Sequence, residues 1–533
     1  MSEDITLRHG DIIAGSQANK QGHNTVPIAA AYDGTTYTPK VRLAGPMSAF
    51  GDILVAERTP QVQMKFPYGV NSDIGQTLTN KAGSSVTSSD GNAIVTCSST
   101  AESFSQIRTI DTVRYGPGQG CKFMGTCAFT TGVANSSQVF GPGDDDEGYY
   151  FGYNGTSFGV MRRSGGTLEV RSLEITAGAG TSAGNITITL DDTAVTVAVA
   201  LNDTVAEVVA KIVAASADIF NAGRGWEVRT PDSVTVEFIS LVAENATGTF
   251  SFADTDTTGV TANAFSTDVT GVAPTETWVA QSSWNIDKMD GTGPSGMTLD
   301  PTKGNVYGIE WQYLGYGAIT FAIEDDNTGM FQPVHRIDYT NQNTTPTVVN
   351  PTFHLNLIAK TESGYSGGAL TMKTASMAGF IEGKESIKGI RRGVTDTKTV
   401  ATTELPVMIL HNKLVYNSAI NKVSVYPDYI NFSTDATKSA IIRVYLNPTE
   451  ITGGVAMTAI DSNSVMEHSG TGTGIVGGTL EFAFVIGAGE GKDLQLSNEE
   501  LTLRPEDRLV ITAEHVSGSG GDVTVGASWL ERI

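Results

Sequence analysis

The sequence predicts a mainly β protein, a multidomain antiparallel β-sandwich or jelly roll with a small α+β insert. Apolar residues alternate at period two along much of the chain. Turn dipeptides such as Asp33-Gly34, Asp90-Gly91 and Asn154-Gly155 separate these runs. One segment alone carries a helical period. With 533 residues, 40% of them hydrophobic, the chain exceeds one compact core, and roughly two to four domains are expected.

The elements follow in order. Gly, Gln, Asn and Pro are frequent in 10–48 and periodicity is weak, which predicts an extended N-terminal anchoring arm over residues 1–60. In 61–168 the clearest signal is Tyr149, Phe151 and Tyr153 alternating up to Asn154-Gly155, then Phe158 and Val160 beyond it. That pattern reads as a hairpin with a type I′ turn. Cys121 and Cys127, six residues apart on one strand, share a face with Cα atoms about 20 Å apart, too far to bridge; with Cys97 they read as small buried residues. A second alternating set, Tyr307, Ile309, Trp311, Tyr313, then Ile319, Phe321 and Ile323, belongs to 277–383. Together 61–168 and 277–383 form one discontinuous sandwich.

Residues 169–276 interrupt it. The stretch 204–217 puts Val205, Val208, Val209, Ile212 and Val213 on one helical face. Thr204 and Glu207 stand in capping-box spacing, and Glu207 to Lys211 is an i,i+4 pair. Strands are expected at 185–190, 194–199, 226–230 and 234–239, so this is a small inserted α+β domain. The basic stretch 384–392 reads as a linker. Alternation then resumes through Val423 and Val425, Ile442 and Val444, Phe482 and Phe484, and Val510 and Thr512. It predicts a C-terminal β-sandwich over 393–533.

Lys+Arg 34 against Asp+Glu 57 gives a net charge of −23, a surface that repels phosphate backbones and argues against nucleic-acid binding. No apolar run reaches the roughly 18 residues of a membrane-spanning helix, and the first residues lack a signal-peptide pattern. HExxH and P-loop patterns are absent and no GxGxxG opens a helical stretch, so no catalytic residues and no enzyme activity are expected. His335 on an alternating strand reads as a sheet-face residue. The run Asp144-Asp145-Asp146-Glu147 could supply the hard oxygens calcium prefers, yet it lacks an EF-hand pattern and reads more simply as a solvated turn. Asp325-Asp326-Asn327 reads as another turn. Most aromatics alternate into a core; Tyr150 and Tyr316 fall out of phase and are the candidate surface residues for stacking on a glycan.

Several segments resemble virion structural proteins of tailed bacteriophages. They include Tyr150-Phe151-Gly152-Tyr153-Asn154-Gly155-Thr156-Ser157-Phe158-Gly159-Val160, the stretch from Trp284-Asn285-Ile286-Asp287-Lys288-Met289-Asp290-Gly291 to Gly296, and 299–315. Asp33-Gly34-Thr35-Thr36-Tyr37, Ala56-Glu57-Arg58-Thr59-Pro60, Leu503-Arg504-Pro505-Glu506-Asp507 and Trp529 fit the same pattern. The resemblance implies a lectin-like sandwich and a role in the virion as a tail, fibre or capsid-surface (decoration) component, in particle assembly or host attachment. It implies assembly in the host cytoplasm, other virion proteins and further copies of the chain as partners, and carries over no catalytic residue. A homotrimer is expected, since fibres and spikes are commonly trimeric. A glycan-binding adhesin reading a host-surface glycan is the alternative. A polysaccharide depolymerase is a remote third, because no acid and nucleophile stand out.

Overall fold

The computed structural model describes residues 29–32, 37–40, 57–384, 389–435, 437–453, 455–496 and 501–532. Within them the protein is mainly β, with antiparallel pairing throughout the named strands. Three large apolar cores organise it, one each in the sandwich, the insert and the C-terminal region.

The first core lies between two sheets. A seven-stranded sheet runs in the order Thr275–Ala280, Ser157–Ser164, Gly148–Asn154, Ser136–Pro142, Leu355–Thr361, Phe104–Thr109, Gly75–Thr79. A six-stranded sheet faces it, ordered Phe331–Ile337, Ile319–Glu324, Asn305–Trp311, Cys121–Cys127, Ser376–Glu382, Arg58–Lys65. The alternating aromatics meet between them: Phe151 packs edge-on to Phe321 with centroids 5.3 Å apart, and Phe123 on Phe140 at 5.0 Å. Cys121 and Cys127 sit on one strand, and all three cysteines are buried and unbridged.

Two turns of similar sequence differ in conformation. Asp90 and Gly91, between the paired Ser89 and Asn92, both have positive φ (52° and 74°), as a type I′ turn requires. At the Tyr149 hairpin Asn154 pairs with Ser157, which makes Gly155 and Thr156 the loop. Only Gly155 has positive φ (56°), the pattern of a type II′ turn, so the expected type I′ geometry is corrected.

Strands Ser157–Ser164 and Thr275–Ala280 pair directly, with Arg163 opposite Glu276, and the chain between them forms the insert. One of its sheets combines Trp226–Arg229, Thr235–Ser240, Val170–Ala177, Thr261–Ala262 and Ser266–Val269. A second holds Thr193–Val199, Gly184–Leu190 and Ser251–Asp254. Helix α1 (Val205–Ala214) buries Val208, Val209 and Ile212, and its Thr204–Glu207 capping box is formed. Two details depart from expectation. The helical stretch breaks at Ala215 into α1 and a short α2 (Ser216–Asn221). Lys211 pairs with Asp203 rather than Glu207, because Glu207 is already held by the cap.

In the C-terminal region a four-stranded sheet (Ile390–Val400, Gly521–Glu531, Val425–Thr434, Gly491–Gln495) covers a six-stranded one. The latter is ordered Thr458–Ala459, Met466–Ser469, Leu405–Asn412, Arg508–His515, Ala440–Leu446, Thr479–Ile486. Trp529, Ile442, Val444 and Phe432 lie between them. Strand Ile390–Val400 begins inside the stretch 384–392 expected as linker, while 385–388 lie outside the described residues. Of the N-terminal arm, the described part is the hairpin Ala29–Tyr32 with Tyr37–Lys40 and the start of Arg58–Lys65; the rest, with the Asp33-Gly34 turn, lies outside them.

Candidate functional site

The acidic run forms the loop between strands Ser136–Pro142 and Gly148–Asn154, folded over the Tyr150 hydroxyl. A Cβ at Gly143 or Gly148 would fall 2.1 or 2.4 Å from that oxygen, so only glycine fits there. Asp144, Asp145, Asp146 and Glu147 are all buried, between 3% and 7% exposed. The expected solvated turn is therefore corrected.

Each carboxylate has its own donors. Asp144 accepts from Arg108 Nη1 at 3.1 Å and from Gln106 at 3.4 Å. Asp145 accepts from Arg163 Nη1 at 2.9 Å, Lys360 Nζ at 3.0 Å and Ala243 N of the insert at 3.1 Å. Asp146 accepts from Lys422 Nζ of the C-terminal domain at 3.2 Å. Glu147 accepts from the backbone N–H groups of Gly165, Val349 and Asn350 at 2.7–3.0 Å. Burial raises the Asp144 and Asp145 carboxyls, but the nearby charges outweigh it: His354, Arg108 and Lys422 for Asp144, Lys360 and Arg163 for Asp145. Both end below the usual carboxylate range. The four carboxylates are thus directed at guanidinium, ammonium and amide donors. Among the described residues no group of three or more His, Cys, Asp or Glu is arranged to hold a metal.

The loop is buried because residues from the regions of all three apolar cores meet on it. Arg108 also lies 3.7 Å from Glu227 of the insert, whose Oε1 accepts from Gln76 at 2.5 Å. Arg504 of the C-terminal domain reaches Asp111 of the sandwich at 2.7 Å. Arg163, wholly buried, donates to Asp145 and Glu276 and lies 5.5 Å from the Tyr150 ring centroid.

Tyr150 was expected at the surface and is fully buried. Alternation does place it on the outward face of its strand, opposite Phe151. That outward face is covered, however: Tyr150 packs with Leu78, Phe104, Met161 and Ile358 beneath Leu241 and Phe220 of the insert. Its hydroxyl donates to Asp144 O at 2.7 Å. Tyr316 is 37% exposed and donates to Thr344 O at 2.9 Å. The two tyrosines share no surface. His335 lies on the sheet edge strand Phe331–Ile337, where its Nδ1 accepts from Asn285 N at 3.3 Å. Asp325 folds its own turn by accepting from Asn327 N at 3.0 Å and Thr328 Oγ1 at 3.0 Å.

Sequence reasoning missed a second charged junction, where the insert meets the C-terminal domain. Glu237, His411, Glu467 and Glu506 come together there from segments more than 150 residues apart for Glu237 and the rest. In Val236-Glu237-Phe238 the alternation marks Glu237 only as outward-facing. Beside it is a mostly apolar cavity of about 260 Å³ between α1 and the C-terminal domain, with Val209, Val213, Ile409 and Met457 in its wall. Its charged rim carries both signs, Asp232 and Glu450 against Arg508, and so selects no ligand charge.

No known family's sequence profile matches this chain, and no curated protein matches it. Among solved structures it is similar to arcelin-5, a lectin-like defense protein from Phaseolus vulgaris. The two are 9% identical over 61% of this chain and 99% of that one, with a TM-score of 0.23. It is also similar to an archaeal virus protein described by its triple jelly roll fold and turret assembly. That match is 6% identical over 92% of this chain and 98% of the other, with a TM-score of 0.17. The Faustovirus major capsid protein is 7% identical over 86% and 92%, with a TM-score of 0.08. At these TM-scores the likenesses carry no argument about fold detail or role.

Proposed function

We propose that this chain is a non-enzymatic structural subunit of a bacteriophage virion, a tail, fibre or capsid-surface component that assembles with copies of itself. One observation carries the reading: three β-rich bodies are joined into one block by ion pairs, two of them largely buried and the Arg504 pair half-exposed. Lys422 to Asp146 and Arg504 to Asp111 tie the C-terminal domain to the sandwich, and Arg108 to Glu227 ties in the insert. Such joints suit a part that must present fixed surfaces to its neighbours. The segments that resemble phage virion proteins support the same reading. The terminal strand Thr479–Ile486 of the six-stranded sheet is apolar at six of its eight positions, with Leu480 50% and Val485 69% exposed. An open strand of this kind is a natural place for subunit contact.

Light scattering of the purified chain tests self-assembly, with a trimer expected; a monomer at all concentrations counts against it. Cryo-EM of the particle then finds the subunit in place or does not. The adhesin reading now rests on Tyr316, the exposed member of its original pair of tyrosines. Tyr316→Ala is expected to abolish binding on a glycan array if that reading holds, and an array without any binding disposes of it.

A further inference from the structure

The insert turns one sheet face toward the C-terminal domain. Val170, Ile239 and Val269 form the apolar half of that contact, against Leu414. Ser233 Oγ accepts from Val455 N across it at 3.0 Å. Carboxylates crowd the other half. Glu237 lies within electrostatic reach of Asp232 and Asp268 of the insert, and of Glu467 and Glu506 of the C-terminal domain. Glu506 in turn faces Glu227, Arg229, Arg508 and His411. His411 is 1% exposed and stands between two acids, with Nδ1 2.8 Å from Glu467 Oε1 and Nε2 3.8 Å from Glu506 Oε1.

The cations present do not neutralise this crowd. Arg229 is engaged by Glu227, and Arg508 directs Nη2 to Pro448 O at 3.5 Å. Glu237 Oε2, Asp268 Oδ2 and Glu506 Oε1 are buried without a hydrogen-bond partner, as are His411 Nε2 and Arg229 Nε. A carboxylate oxygen withdrawn from water and left without a donor favours the neutral form, and two acids within electrostatic reach of each other resist ionising together.

We propose that this junction is a proton-operated latch: Glu237 and Glu506 hold protons while the insert is docked, and loss of both opens the contact with the C-terminal domain. The released protons go to bulk water. The inference stands on the junction alone and does not depend on the virion reading.

The direction follows from the surroundings. Burial pushes Glu237 well above the usual carboxylate range, and Glu506, Asp268, Glu467 and Asp232 push it further. Burial also raises Glu506, against the pull of His411, Arg229 and Arg508. Groups raised in the docked form stabilise docking fully below their free pKa and lose that contribution as pH climbs through the raised value. The latch is closed in acid and opens toward alkali.

The test is a distance across the junction in the full-length chain. Spin labels at Ala217→Cys on the insert and Val476→Cys on the C-terminal domain use two exposed positions, while the native cysteines are buried. Electron–electron resonance is recorded from about pH 5 to about pH 9. The separation is expected to lengthen by at least about 3 Å on the alkaline side. The Glu237→Gln and Glu506→Gln double variant, a neutral mimic, is expected to keep the acid distance throughout, and Glu362→Gln on an exposed loop to behave as wild type. A distance constant with pH in the wild type, or the same lengthening in the double variant, overturns the latch. Infrared spectroscopy of the unlabelled wild type is a second readout: a protonated-carboxyl band is expected at neutral pH, and its absence overturns the proposal even if the variants do not fold.

Discussion

The insert has two neighbours and meets them differently. Against the sandwich, buried carboxylates face cations: Asp145 has Arg163 and Lys360, Asp144 has Arg108, and Glu227 has Arg108 and Arg229. Against the C-terminal domain, Glu237 faces other acids, and Glu506 faces Glu227 alongside His411, Arg229 and Arg508. The pairing of charge is what differs, and it reverses the sign of each junction's response to protons. Asp144, Asp145 and Glu227 are held below the ordinary carboxylate range, while Glu237 and Glu506 are held above it. Buried charge is thus no guide to stability until its partners are named.

The sandwich side breaks most sharply at Arg163. Arg163→Met removes the guanidinium shared by Asp145 and Glu276 from a wholly buried site. A loss of about 3–5 kcal/mol in urea unfolding is expected, because the carboxylates stay behind. Lys422→Met takes the ammonium from Asp146 across the sandwich and C-terminal contact. A smaller loss of about 2–3 kcal/mol is expected, with limited proteolysis showing earlier release of the C-terminal domain.

Acid sharpens the contrast. The lowered carboxyls of Asp144, Asp145 and Glu227 contribute stability that is present above the ordinary carboxylate pKa and lost as pH falls through their own values. An acid titration followed by tryptophan fluorescence is therefore expected to show the sandwich junction failing below about pH 4. Arg163→Met should move that midpoint upward. The smallest expected effect lies away from both junctions: Thr204→Ala removes the α1 cap and costs about 1 kcal/mol, which calorimetry of the full chain can read.

Legibility in the sequence tracked how local the cause was. The aromatic hairpin, the alternating strands around Tyr307 and Ile319, and the capped helix at Thr204 depend on neighbours a few residues away, and they stand where the pattern puts them. The Asn154-Gly155 turn was misread by one residue because strand register, set by pairing, decides which residues form the loop. Tyr150 and the Asp144–Glu147 loop were misread for a different reason. Their side chains do point away from the sandwich core, and alternation contains no word about what a second domain lays over that face. The partners of those acids, at Ala243, Lys360 and Lys422, lie about 100 to 280 residues away.

By itself the sequence determined that this protein is built of antiparallel β layers with one short helical stretch, since period and turn chemistry act over a few residues. Tertiary structure alone decided which polar side chains lose contact with water and whether each then meets a cation or another acid. That depends on how whole sheets dock, and desolvation becomes costly or harmless only when the far partner arrives.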